Sequence, residues 1–207
     1  MNEYCPAYVG SWIRYQVFEI SGQWHGGLFS ISVENRKPHY NSPQTIRVEA
    51  GDCKPCLGTA ELKRLVYTGK NGIDGGSLVD GPWYGHAGED YIGEAVNDKG
   101  AVHTPYIPKL ARYPYTGQKI SGYTDVIPSC RSSNEYGSKK HYWEYKTIRW
   151  YDYWGGHADC WRTGLAELQT ERRYNYIFKR GVGMVHFWFI GPDDTGLEYY
   201  AFDWSVQ

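Results

Sequence analysis

Gly183-Met-Val-His-Phe-Trp-Phe-Ile190, followed by Gly191-Pro-Asp-Asp-Thr-Gly196 and Leu197-Glu-Tyr-Tyr-Ala-Phe-Asp-Trp204, is the stretch that decides the fold class. Two aromatic-rich apolar runs of strand length flank residues that favour turns, which is the pattern of a β-hairpin. We therefore predict antiparallel strands at both runs. His186, inside the first run, is predicted to be a core histidine whose hydrogen bonds are satisfied by the protein.

The segments before this hairpin also alternate between apolar and polar residues, as half-buried strands do. Within His141–Trp154, Tyr145 falls on one face, and Glu144 and Lys146 fall on the other. Ala166–Phe178 alternates along its whole length and is predicted to be a single strand.

The N-terminal third predicts a hairpin, one further strand and one helix. Trp12–Ile20 and Leu28–Glu34 flank the turn-rich segment Ser21–Gly27, and Thr45–Glu49 fits a third strand. Gly58–Tyr67 has apolar residues at helical spacing and is the one helix candidate.

Composition supports a β fold throughout. The 207 residues include 20 Tyr, 9 Trp and 25 Gly; aromatic residues favour strands, and Gly favours the turns between them. The Gly- and Pro-rich region 69–140 is predicted to be long loops with two or three short edge strands. We predict a single all-β domain over residues 1–207, an antiparallel barrel or curved β-sandwich with long loops, at most one short helix and at least eight strands.

Charge and motif content argue against several function classes. The 22 basic and 23 acidic residues give a net charge of −1, unlike the basic surface typical of nucleic-acid-binding proteins. No apolar run reaches the roughly 18–20 residues that a membrane span requires. Because the sequence lacks the Gly-rich phosphate and dinucleotide motifs, the nucleophile elbow and the zinc-protease motif, we expect no cofactor.

Two segments near the chain ends resemble a known group of proteins. They are Cys5-Pro-Ala-Tyr-Val-Gly-Ser-Trp-Ile-Arg-Tyr15 and Arg180-Gly-Val-Gly-Met-Val185. Apart from one additional residue before the tyrosine, the first resembles the P-x-x-x-G-x-W-x-Y opening of bacterial secreted and lipid-anchored β-domains, whose C-terminal strands often contain G-V-G. The resemblance implies an extracytoplasmic β-domain and assigns no catalytic residue. Because the first residues lack the charged and apolar regions of a signal peptide, we expect that a leader was removed.

The chain contains five cysteines, and Cys53-Lys-Pro-Cys56 forms a C-x-x-C motif. In an exported protein, a loop of this kind favours a disulfide that involves Cys53 or Cys56. A zinc site and a redox motif are the alternatives, although the redox motif needs a βαβ frame that this sequence does not predict.

The most specific internal feature is a repeated W-x-G-H-A motif, at Trp83-Tyr-Gly-His-Ala87 and Trp154-Gly-Gly-His-Ala158. Acidic residues follow each copy, and His with nearby carboxylates can serve as metal ligands or acid–base groups. Three interpretations stay open: two similar strand-to-turn corners, a shared binding site, or a metal site. A shared site predicts that His86 and His157 lie within about 12 Å of each other at a rim where loops gather.

Two arginines interrupt the predicted apolar faces. Arg149 shares a face with Tyr145, and Arg172 shares one with Tyr174. A buried guanidinium needs a carboxylate, an aromatic ring or a ligand. Each arginine is therefore either structural or part of a site for sugars or acidic glycans.

The leading hypothesis is an extracytoplasmic, non-catalytic binding domain, with carbohydrate as the first ligand to test. The predicted ligand contacts are stacking aromatic rings and polar side chains, with no metal assigned: Trp83, Tyr84, Trp150, Trp154, Arg149, His86 and His157. One alternative is a self-assembling structural subunit of a surface layer, filament or virion. The other is a polysaccharide-degrading enzyme whose catalytic residues the sequence does not identify.

Overall fold

The computed structural model describes residues 3–4, 8–50, 61–69, 72–73, 83–86, 91–96, 102–111, 113–127, 139–150, 159–168 and 170–207. Within these ranges the chain forms 14 β-strands and no helix, so none of the described residues belongs to a helix long and apolar enough to cross a membrane. The predicted all-β class and the predicted minimum of eight strands are confirmed.

The strands follow in chain order: β1 Trp12–Trp24, β2 Ile31–Pro38, β3 Gln44–Ala50, β4 Glu61–Gly69, β5 Gly72–Ile73, β6 Trp83–His86, β7 Tyr91–Val96, β8 Val102–Ala111, β9 Lys119–Ile127, β10 Lys139–Trp150, β11 Cys160–Glu167, β12 Arg172–Lys179, β13 Gly183–Ile190 and β14 Thr195–Ser205. Region 69–140 therefore contains more strand than its Gly and Pro content predicts, with five strands from β5 to β9.

One curved antiparallel sheet contains all of these strands, in the order β14-β13-β12-β11-β10-β9-β8-β7-β6-β4-β3-β1-β2, with β5 paired to β4. Strand β14 also pairs with β1, from Trp12↔Ser205 to Ser21↔Thr195. The sheet thus curves back until its last strand lies beside its first.

The two faces of the sheet carry different buried clusters. The inner face is defined here by the cluster that includes Tyr15 and Tyr145, whose members come from β1, β3, β8 and β10–β14. Because strands from around the sheet contribute to it, the curvature encloses this cluster. The outer face carries a smaller cluster with Ile177, Trp188 and Ile190, against which β2 packs through Ile31.

The predicted hairpins at both ends of the chain are confirmed. β13 and β14 pair across the turn at residues 191–194, where Asp194 adopts a φ of 57°. β1 pairs with β2, although β1 continues to Trp24 and so includes part of the segment predicted as the loop.

The helix predicted at Gly58–Tyr67 is wrong, because residues 61–69 form strand β4. β4 pairs with β3 on one edge and with β6 on the other, so neighbouring strands satisfy the backbone groups that a helix would satisfy internally. The run Val66-Tyr-Thr68 is rich in β-branched and aromatic residues, which favours the strand.

The single strand predicted at Ala166–Phe178 is also wrong, because a turn that includes Leu168, Thr170 and Glu171 divides it into β11 and β12. Glu171 adopts a left-handed φ of 54° in this turn, and the Thr170 hydroxyl donates to a carboxylate oxygen of Glu167 over 3.0 Å. Leu165 pairs with Tyr174 across the hairpin, so even-numbered residues point outward in β11 and inward in β12. Alternation alone does not detect this change of face.

Candidate functional site

Strand β10 presents a continuous row of side chains on the outer face. Tyr145 and Thr147 are fully buried on the inner face, and successive residues of a strand point to opposite faces. The outward residues are therefore Tyr142, Glu144, Lys146, Ile148 and Trp150, all half-buried. We call this row the outer strip; at about 3.3 Å per residue it is about 26 Å long.

A pair of tyrosines lies at one end of the outer strip. Tyr142 is directly opposite Tyr123 of β9, and the two ring centroids are 5.0 Å apart with a tilt of 54°. Tyr123 is 61% exposed. The next outward pair is Glu144 and Ser121, so polar groups lie beside the exposed ring.

An arginine surrounded by aromatic rings lies at the other end. The Arg162 guanidinium of β11 is 4.8 Å from the ring centroid of Trp150, 4.9 Å from that of Trp188 and 5.1 Å from that of Phe29. Its Nε donates to Asn175 Oδ1 over 2.9 Å, and its Nη2 donates to the Phe29 carbonyl over 3.1 Å. We call these residues the arginine cage.

The charge of Arg162 has no counter-ion among the described residues, because no described carboxylate forms an ion pair with it. The residue is only 8% exposed, and burial lowers the pKa of its guanidinium to about 10. The side chain nevertheless stays protonated at neutral pH. Cation–π contacts with three rings offset part of the cost of removing this charge from water.

The cage depends on the segment between β1 and β2 crossing the outer face of β11 and β12. Asn175 Nδ2 donates to the Leu28 carbonyl over 3.2 Å. That carbonyl oxygen would lie 2.6 Å from a β-carbon at Gly164, so only glycine leaves room for the segment there. The segment is closed by a backbone hydrogen bond from His25 to Ser30 of 2.9 Å.

A second polar cluster follows on the outer face of β13 and β14. Glu198 is 1% exposed and accepts hydrogen bonds from Arg36, His186 and Tyr200. Burial alone would raise the pKa of Glu198, but these three hydrogen bonds lower it to about 2. The prediction that His186 is a satisfied core histidine is confirmed. His186 also stacks between Trp188 and Tyr200, which connects this cluster to the arginine cage.

The structure separates the two predicted contacts Arg149 and Trp150, which point to opposite faces of β10. Arg149 forms an ion pair with Asp159 and lies 5.1 Å from the Trp161 ring centroid. Asp159 also accepts a hydrogen bond from Tyr4 over 2.9 Å. Arg149 thus has the carboxylate and the aromatic ring that it was predicted to need, and both hold the N-terminal segment in place.

Arg172 begins β12 and, by alternation, shares the inward face with Tyr174, as predicted. Arg172 is exposed, and its neighbour Arg173 is buried, at 9% exposure, beneath the Trp24 ring at 4.4 Å. The buried arginine of β12 is therefore Arg173 on the outer face, whereas Arg172 is exposed as the first residue of the strand.

The remaining predicted contacts stay predictions. Trp83, Tyr84 and His86 form strand β6, which pairs with β4 and β7, and only their backbone is described. Trp154 and His157 lie outside the described residues, so the predicted separation of the two histidines is untested.

The predicted disulfide is likewise untested, because Cys53 and Cys56 lie outside the described residues. Cys160 is fully buried on the outer face. No cluster of three or more His, Cys, Asp or Glu side chains that could hold a metal ion occurs in the described ranges.

Sequence patterns did not identify Arg162 and Asn175. The available signal was a single charged residue in the otherwise apolar and small run Cys160-Trp-Arg-Thr-Gly-Leu-Ala166. A charge in such a strand requires partners, but those partners come from the segment between β1 and β2 and from β10, β12 and β13.

No family model matches the chain, and no curated protein matches it. The structure is similar to that of a candidate lipoprotein from Parabacteroides distasonis, with a TM-score of 0.35, 8% sequence identity and 99% of each chain covered. It is also similar to a candidate exported protein with a YmcC-like fold from Bacteroides fragilis, with a TM-score of 0.33, 6% identity, and 99% of this chain and 100% of the other covered. Both TM-scores lie below 0.5, so neither similarity supports an argument about this chain.

Proposed function

We propose that the protein is an extracytoplasmic, non-catalytic binding domain and that its ligand is a carbohydrate chain. The observation that carries the proposal is the outer strip, which has Tyr142 beside Tyr123 at one end and Trp150 about 26 Å away at the other. Sugar rings stack on flat aromatic faces, and a few polar groups then orient the ligand. Glu144 and Lys146, between the aromatic ends, supply such groups.

The extracytoplasmic placement rests on the sequence, whose opening resembles that of secreted and lipid-anchored β-domains. Cell fractionation with an antibody against the native protein tests it. We expect the protein in the periplasmic, membrane or secreted fraction. Recovery with the cytoplasmic fraction would overturn this part of the proposal.

The state of Glu198 argues against a catalytic role for this residue. Among the described carboxylates it has the most strongly lowered pKa, but it is buried and held by three donors. A general acid needs a raised pKa and access to the substrate. Glu198 is therefore assigned a structural role.

Binding is tested by a glycan array, followed by calorimetric titration with the strongest oligosaccharide. Replacing Tyr123 or Tyr142 by Ala is expected to weaken binding at least about tenfold, which corresponds to about 1.4 kcal/mol. Tyr40→Ala is the matched control, because Tyr40 is 65% exposed and lies between β2 and β3, neither of which pairs with β9 or β10. Equal losses in all three variants, or no glycan bound by the unmodified protein, would contradict the proposal.

Exposed aromatic residues outside the strip favour a second candidate, a self-assembling subunit. Tyr40 and Phe202 are 65% and 53% exposed, and aromatic residues are enriched at protein interfaces. Light scattering over a range of concentrations separates the two functions. A monomer at high concentration excludes the subunit, whereas a mass that grows with concentration favours it. Incubating the bound glycan with the protein and analysing the products tests the third possibility, an enzyme.

A further inference from the structure

Among the described residues, the arginine cage leaves one donor group of Arg162 without a partner. Nε and Nη2 donate to Asn175 and to the Phe29 carbonyl, while Nη1 donates to no group in the described part of the chain. Both existing acceptors are neutral, so they satisfy hydrogen bonds without neutralising the charge. Arg162 keeps 8% of its surface in contact with solvent.

Two lysines on the same face add to this positive charge. Lys146 of the outer strip lies directly opposite Lys119 of β9, and like charges placed directly opposite destabilise a sheet. Neither lysine forms an ion pair with a described carboxylate.

The sheet register places the three basic residues at neighbouring positions on β9, β10 and β11. Arg162 lies opposite Ile148, and Gly164 lies opposite Lys146. Arg162 and Lys146 are therefore diagonal neighbours, whose Cα atoms lie about 7–8 Å apart. Glu144 is the one carboxylate of the outer strip. The middle of the strip therefore carries a local excess of positive charge on a protein whose net charge is −1.

We infer that the ligand of the outer strip is an acidic glycan, and that a uronate carboxylate of this glycan binds Arg162. The inference rests on the proposed function and names the substrate class of the same site. The guanidinium is a planar fork of donors whose geometry matches a carboxylate. A sugar ring stacked on Trp150, whose indole borders the guanidinium, places its carboxylate beside Nη1. Lys119 and Lys146 then bind the carboxylate of a neighbouring unit.

A panel of galacturonate, glucuronate and mannuronate oligosaccharides tests the inference, each compared with its methyl ester. Esterification removes the charge and keeps the sugar. The unmodified protein is expected to bind at least one acid at least about tenfold more tightly than its ester, with an affinity that falls as salt is added. Equal affinity for every acid and its ester would overturn the inference.

Two variants assign the effect to residues. Arg162→Met removes the charge and keeps a long apolar side chain in the cage, and it is expected to bind the acid no better than the ester. Lys119→Gln, at an exposed position, is expected to lower affinity for the acid by about threefold to tenfold and leaves the cage intact, so it tests the charge requirement even if Arg162→Met misfolds. Arg172→Met is the control at an exposed arginine, and its preference for the acid should be unchanged.

The outcomes separate this inference from the proposed function. If a neutral glycan of the array binds at the tyrosine pair while no uronate is preferred over its ester, the inference fails and the proposed function stands. If no glycan of either kind binds, the proposed function fails. If Arg162→Met and Lys119→Gln both retain the preference for the acid, Arg162 is only a structural cation.

Discussion

Replacing Glu198 by Gln removes a negative charge from the outer face of β14 and leaves the size of the side chain almost unchanged. Glu198 accepts hydrogen bonds from Arg36, His186 and Tyr200. An amide has one acceptor oxygen and cannot pair with the guanidinium as a carboxylate does. The variant therefore leaves Arg36 without its ionic partner and weakens the contact between β2 and β14.

The lowered pKa sets the magnitude of the effect. The pKa of Glu198 falls from 4.5 to about 2, and each pKa unit corresponds to about 1.4 kcal/mol, which gives an upper value of about 3 kcal/mol at pH 7. The Arg36 side chain is 47% exposed, so water screens part of this interaction. We expect Glu198→Gln to lower the free energy of unfolding by about 2–3 kcal/mol at pH 7.

The same pKa predicts the pH dependence. Because the folded state lowers the pKa, the unfolded state takes up a proton more readily, and the stabilisation is complete above about pH 4.5. It is lost as the pH falls from about 4.5 towards 2. The difference in stability between the unmodified protein and Glu198→Gln should therefore be largest near pH 7 and shrink below pH 4.5.

Urea denaturation followed by tryptophan fluorescence at pH 7, 5, 4 and 3 measures both effects. Glu19→Gln is the matched control, because Glu19 is 42% exposed and pairs with the exposed Lys37 at 3.3 Å; its cost should stay below about 0.5 kcal/mol. Equal costs for the two variants, or a cost of Glu198→Gln that does not change between pH 7 and 3, would refute the reasoning.

Three further predictions concern other parts of the chain. Gly164→Ala should lower the free energy of unfolding by about 1–3 kcal/mol in urea denaturation, since a β-carbon there would lie 2.6 Å from the Leu28 carbonyl oxygen; an unchanged midpoint would show that the segment over β11 adjusts freely. Asp159→Asn should speed proteolysis of the N-terminal segment, because the carboxylate ties that segment to two arginines, and unaltered cleavage would argue against such a tie. Mass spectrometry without reduction should find a disulfide at Cys53 or Cys56, and alkylation of all five thiols would contradict it.

Local pattern was sufficient to predict the fold class. The hairpin of β13 and β14 needs only two apolar runs of strand length and the turn residues between them, because neighbouring strands in sequence pair with little loss of chain entropy. The two faces of β10 were also predictable, since Tyr145 and Glu144 alternate with the period of a strand. Where the turn that includes Leu168, Thr170 and Glu171 interrupted the alternation, the pattern assigned Ala166 and Tyr174 to one face although they point to opposite faces.

The partners of each face were decided by tertiary structure. Arg162 is buried because the Phe29 carbonyl, 133 positions away in the chain, lies over it, and because Gly164 leaves room for that segment. Strand β14 pairs with β1 across almost the whole length of the chain. Alternation tells which side of a strand a residue occupies, but which distant segment covers that side depends on the closure of long loops, and no local pattern of residues encodes it.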